Sequence, residues 1–140
     1  MSNGDAGDGA KPAPISAVIL FCIAFALALF TDWVPTLAHL SDPTWTIHQK
    51  FHAWREIFMS TAMSVTGIVM CVGPMRKGKP GTLAIVTFLG IVVVGGFWVG
   101  VPITGIGVPV AKPYANHGLQ LAALCGGILV AYLPSFQRAF

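Results

Sequence analysis

The chain has little charge. Only 9% of its 140 residues are Asp, Glu, Lys or Arg, against about 25% in soluble domains. That scarcity and a mean hydropathy of +0.76 exclude an ordinary soluble domain. The net charge of +3 comes from scattered basic residues and excludes a nucleic-acid-binding surface. There are 3 cysteines, without CxxC spacing, which argues against a disulfide framework or a zinc site. Cys22, Cys71 and Cys125 each fall within an apolar run and read as small hydrophobes. The chain has no HExxH, Walker loop, GxGxxG or Asn-x-Ser/Thr acceptor, and no Ser/His/Asp order. No cofactor is named by any motif.

What the chain does have is apolar length. Four runs stand out: Ile15–Phe30, Ile57–Gly73, Leu83–Ile103 and Gly118–Leu133. Crossing ~30 Å of hydrocarbon takes about 20 apolar residues. The expected fold is therefore all-α: an integral membrane protein built as a four-transmembrane-helix antiparallel bundle. The expected helices are 15–31, 46–73, 82–103 and 114–133 in one domain, 15–134. Residues 1–14, rich in Gly, Asp, Ala and Pro, read as a disordered N-terminal tail, and 135–140 as a C-terminal tail. The first run has small-residue sites such as Ala24-Phe25-Ala26. However, Asp5 and Asp8 precede it with a lone Lys11, which disfavours a cleaved signal peptide.

Pro35 and Pro43 should break residues 32–47 into a connection, with Trp33 and Trp45 at headgroup depth. Ser41, Asp42 or Thr44 is available to cap helix 2, and Gly73-Pro74 should stop it. Gly96 and Gly100 form a small-xxx-small pair suited to close helix packing. One end of the bundle holds Lys11, Arg76, Lys77, Lys79 and Arg138; the other holds Lys50, Arg55 and Lys112. This bias favours a multi-pass topology with both termini in the cytoplasm.

Every histidine, and every carboxylate outside the N-terminal tail, then falls at the opposite, non-cytoplasmic end. At about 100° per residue, His48, His52 and Glu56 form a ridge on helix 2, with Arg55, Met59 and Met63 on the same arc. Helix 4 opens with Asn116, His117 and Gln120 on one arc, and Asp32 closes helix 1 at the same level. Polar groups in the first turns of a membrane helix usually face the bundle or a cavity. The leading expectation is acid–base chemistry of isomerase or cyclase type on a lipophilic small molecule. His48, His52, Glu56 and His117 would be the catalytic groups, since imidazole titrates near neutral pH. Asp32, Arg55, Met59, Met63, Asn116 and Gln120 would contact substrate.

Other readings stay open. HxxxH is a metal-ligand spacing, and His39 or His117 could complete a set with His48, His52 and Glu56 in a redox protein. Haem ligation fits less well, because the histidines lie at helix ends and not at paired mid-bundle positions. The same histidines also suit plain hydrogen bonding to water, headgroups or loop carbonyls. A non-enzymatic accessory or scaffold subunit, docking a partner or a further copy through its polar end, completes the set. The bilayer is the one partner composition implies directly.

Asp32-Trp33, His39 and the run Pro43-Thr44-Trp45-Thr46-Ile47-His48-Gln49-Lys50-Phe51-His52 resemble a loosely defined group of small uncharacterised four-helix membrane proteins. These share an acidic-Trp loop and a W-x-x-H-x-x-F-H motif entering helix 2. The resemblance implies the fold and carries no site roles. More distantly, the layout is similar to small four-helix sterol-isomerase-like membrane proteins, without a residue match that would transfer their activity.

Overall fold

A computed structural model describes residues 11–104 and 111–136. Helix α1 covers Ile15–Ser41 and α2 covers Ile47–Met70, continued by a π-helical turn, Cys71–Met75. Helices α3 (Thr82–Thr104) and α4 (Ala111–Phe136) follow, and no strand occurs among the described residues. Three stretches are long and apolar enough to cross a membrane: Ile15–Ser41, Ile47–Met75 and Ala115–Leu133. The described apolar part of α3, Thr82–Gly96, is shorter. Of the tails expected at the two ends, 1–10 and 137–140 lie outside the described residues.

The core is organised around α1, which packs most extensively against α4 and α2. Ala17, Phe21, Ala24, Phe25 and Ala28 are fully buried along it. Their spacing of three and four residues makes one continuous stripe. Contacts with α2 and its π turn step in opposite directions: Cys22 with Cys71, Phe25 with Gly67 and Asp32 with Ser60. The two helices are therefore antiparallel. Phe21 against Gly127, with Asp32 near His117, sets α4 antiparallel to α1 in the same way. The facing positions on α2 and α4 are small, which lets the α1 rings lie against backbone.

Several boundaries differ from the expected ones. Helix α1 does not end at residue 31 but runs ten residues further, through Pro35. A mid-helix proline forfeits one backbone bond, here to the Thr31 carbonyl, and costs about 3 kcal/mol. Asp32 and Trp33, just before it, are both tied to α2, which holds this part of the helix in place. Helix α2 does not stop at Gly73-Pro74. The widened π turn carries the proline, and its carbonyls are taken up by Lys77 N–H to Gly73 O and Lys79 N–H to Pro74 O, at 3.2 and 3.0 Å. Helix α4 starts before Tyr114, at Ala111, because Pro113 sits in the first turn, where N–H groups lack intrahelical partners. It also continues past Pro134 to Phe136, again at the cost of one backbone bond.

The cap of α2 is Thr46 and not Ser41, Asp42 or Thr44. Thr46 Oγ1 accepts from Gln49 N–H at 3.3 Å, and Gln49 Oε1 accepts from Thr46 N–H at 2.8 Å, forming a reciprocal capping box. Asp42 instead closes a turn, accepting from the Thr44 N–H at 2.8 Å and the Thr44 hydroxyl at 2.7 Å. The expected close approach at Gly96 is not found among the described residues, and the surroundings of Gly100 lie outside them. Gly96 is exposed, and a Cβ at this position would meet nothing within 4 Å; the close contact of α3 is Gly90 against Leu124.

Two outcomes follow from this packing. Gly67→Ala drives a methyl into the ring of fully buried Phe25 and should cost about 1–3 kcal/mol, read as a lower Tm in detergent. Gly73→Ala, with nothing within 4 Å, should leave Tm unchanged or raised. Equal losses would refute this account of the α1–α2 contact. Second, the Thr44 hydroxyl and N–H hold the Asp42 carboxyl below the usual carboxylate range. Its contribution to the α1–α2 connection is present above the unfolded pKa and lost as pH falls through the lowered folded one. The carboxyl carbon shift of Asp42 should titrate below an ordinary aspartate, and Thr44→Ala should move the midpoint part of the way back.

Candidate functional site: a polar junction of α1, α2 and α4

Only one carboxylate of the described chain is drawn into the helix packing. Asp32 is half-buried on α1 and accepts a hydrogen bond from the Ser60 hydroxyl of α2. His117, from the opening turns of α4, is close enough to interact electrostatically with it. Gln120, one turn along α4, is only 2% exposed, and its Oε1 lies 3.1 Å from His117 Nδ1. An amide oxygen can only accept, so in this contact His117 Nδ1 is the donor. One carboxylate, one imidazole, one hydroxyl and one amide thus meet where three helices pack.

The neighbouring polar groups are already occupied. Trp33 Nε1 donates to Thr61 Oγ1 at 2.8 Å. The Thr31 hydroxyl turns back to the Leu27 and Ala28 carbonyls, at 2.9 and 3.1 Å. One turn beyond Ser60, the Ser64 hydroxyl is fully buried and has no hydrogen-bond partner among the described residues.

The helix-2 ridge expected from sequence does form, but it faces elsewhere. His48 and His52 meet with Nε2 atoms 3.1 Å apart and ring centroids 4.5 Å apart at 75°. Both are exposed, as are Arg55, Glu56 and Met59, while Met63 is half-buried. The side of α2 that packs inward is Ala53, Ile57, Ser60, Ser64 and Gly67. At about 100° per residue its centre lies roughly 110° around the helix from the histidine ridge. The Glu56 side chain makes no hydrogen bond or ion pair among the described residues. Asn116 is exposed on α4. His39 stacks on Trp45 at 4.5 Å and 9° in the α1–α2 connection.

The candidate residues therefore separate into two groups. Asp32, His117 and Gln120 come together, joined by Ser60, which the polar pattern of the sequence does not single out. His48 and His52 pair with each other on an outer face. No group of three or more His, Cys, Asp or Glu is placed to hold a metal ion among the described residues. Ser60 had a signal in the sequence: Ala53, Ser60, Ser64 and Gly67 form a stripe of small residues, and small stripes mark helix contacts in apolar surroundings.

The two serines should respond oppositely to truncation. Ser60→Ala removes the donor to Asp32 and should cost about 0.6–1.7 kcal/mol, the range of interhelical hydrogen bonds in membrane proteins. Ser64→Ala removes a buried hydroxyl without a partner and should be neutral or stabilising. Thermal unfolding in detergent reads both; a loss at Ser64 equal to that at Ser60 would show that Ser64 is also bonded. No protein-family model, no curated protein and no solved structure matches this chain.

Proposed function

We propose that this chain crosses a membrane four times, with both termini cytoplasmic, and performs acid–base chemistry on a lipophilic small molecule. The reaction class is proton abstraction and return, as in double-bond migration or cyclisation. The observation that carries the reading is the gathering of Asp32, Ser60, His117 and Gln120 at one level, with His117 within electrostatic reach of Asp32, on helices long and apolar enough to span. Ionisable groups in such segments are costly, and where they occur they mark sites of function.

The chemistry follows from the parts. A carboxylate and an imidazole within electrostatic reach can hold one proton in two places, so one can take a proton while the other returns it. Ser60 orients the Asp32 carboxyl. Gln120 holds the His117 ring in place through Nδ1. Because α1 runs to Ser41, Asp32 lies within the helix and not at its end, and a lipophilic substrate could approach from the bilayer. The working pair shifts from His48 and His52 to Asp32 and His117. Exposed His48 and His52 become the natural controls.

Membrane placement is read first: the protein should remain in the pellet after alkaline carbonate extraction. The chemistry is then read in nanodiscs in D2O with lipophilic β,γ-unsaturated ketones. Absorbance follows conjugation, and mass spectrometry follows deuterium uptake. Asp32→Asn and His117→Gln should each lower kcat/KM by about 10²–10⁴-fold, the usual scale of general acid–base groups. His48→Ala and His52→Ala should stay within a few-fold of the unmodified protein. Turnover unaffected by Asp32→Asn, or the absence of proton exchange with every such ketone, would overturn the proposal.

A further inference from the structure

At the opposite end from Asp32, a groove of about 440 Å³ opens sideways along α1 and the α2 π turn. That volume is within the ~300–1,000 Å³ typical of small-molecule sites. Its walls are apolar: Val18, Ile19, Cys22 and Ala26 from α1, and Val72 from the π turn. One charged residue, Arg76, lines it as well. Val72 and Arg76 are four residues apart, so the π turn aligns an apolar wall with a guanidinium at its end. Among the described residues the Arg76 side chain makes no hydrogen bond or ion pair.

Among the described residues, the surrounding charge has one sign. Lys77 and Lys79 follow Arg76 in the α2–α3 turn, and all three are exposed. The Ala13 N–H bonds to the Met75 carbonyl at 3.4 Å, which brings exposed Lys11 to the same end. The described carboxylates, Asp32, Asp42 and Glu56, belong instead to the region of the α1–α2 connection. An apolar slot ending in a guanidinium, with lysines at the same end, matches a molecule with a hydrocarbon chain and an anionic phosphate head. Basic pockets between membrane helices hold acidic lipids by this complementarity, and a guanidinium suits phosphate by its planar fork of donors.

We infer that this groove is a binding site for one anionic phospholipid, with an acyl chain along Ile19, Cys22 and Val72 and its phosphate on Arg76. The inference rests on the membrane placement proposed above but not on the chemistry at Asp32.

The test is native mass spectrometry of the full chain, released from nanodiscs of equimolar dioleoylphosphatidylglycerol and dioleoylphosphatidylcholine. One phosphatidylglycerol should be retained per chain, about tenfold in excess over phosphatidylcholine. Arg76→Gln should bring the two lipids near parity. Ala26→Phe, which fills the groove from an exposed wall position, should reduce retention of both. Lys77→Gln, outside the groove lining, should keep most of the preference. Parity in the unmodified protein, a preference that survives Arg76→Gln, or one lost as completely in Lys77→Gln would overturn the site. Carbonate extraction separates the two claims: a chain that resists extraction yet shows parity defeats the lipid site alone, and a chain that is extracted defeats the membrane placement.

Discussion

The structure depends on how closely α1 can approach its neighbours. Between helices in an apolar medium, burial of apolar area gives little drive, and association rests on close packing and a few interhelical hydrogen bonds. Here large residues on one helix meet missing side chains on the others. Phe25 lies against Gly67 of α2, and Phe21 lies against Gly127 of α4. The α1 stripe from Ala17 to Ala28 is buried as a result. The remaining contacts, α2 with α3 and α3 with α4, are less extensive than those made by α1.

That approach is also what assembles the polar junction. Ser60 is on the same face of α2 as Gly67, about two turns away, so the seam that admits Phe25 also delivers a hydroxyl to Asp32. Antiparallel α4, seated on α1 through Gly126 and Gly127, brings His117 and Gln120 to the level of Asp32. The continuation of α1 through Pro35 matters here too. A helix ending at residue 31 would have left Asp32 in a solvated connection; a helix running to Ser41 fixes its direction against α2 and α4.

Much of this was legible along the chain. Long apolar runs with few charges dictate helices, and their number and approximate limits follow from length alone. The i, i+4 geometry that pairs His48 with His52 is a local property of any helix, and it formed as the spacing requires. Asp32, His117 and Gln120 were also visible as polar residues at one end. The proline effects were less legible. Pro35, Pro74, Pro113 and Pro134 all lie within helical turns: Pro113 forfeits no intrahelical bond in the first turn, and the others forfeit one backbone bond each, a loss that packing can offset. The cap at Thr46 was readable in its Thr-x-x-Gln spacing, which competes with nearby Ser41, Asp42 and Thr44 for the same role.

By itself the sequence determined the helical class, the apolar character of the helices and the gathering of histidines and carboxylates toward one end. Periodicity and hydropathy are local, and they need no knowledge of neighbours. Which face of each helix turns inward was decided only by the tertiary structure. On α2 the expectation fell on the polar ridge of His48, His52 and Glu56, whereas the face that packs inward carries the small stripe of Ser60, Ser64 and Gly67. Size chose between them: only the small stripe lets α1 come close enough to pack. Close packing therefore turned the histidine pair outward and joined Asp32, Ser60, His117 and Gln120.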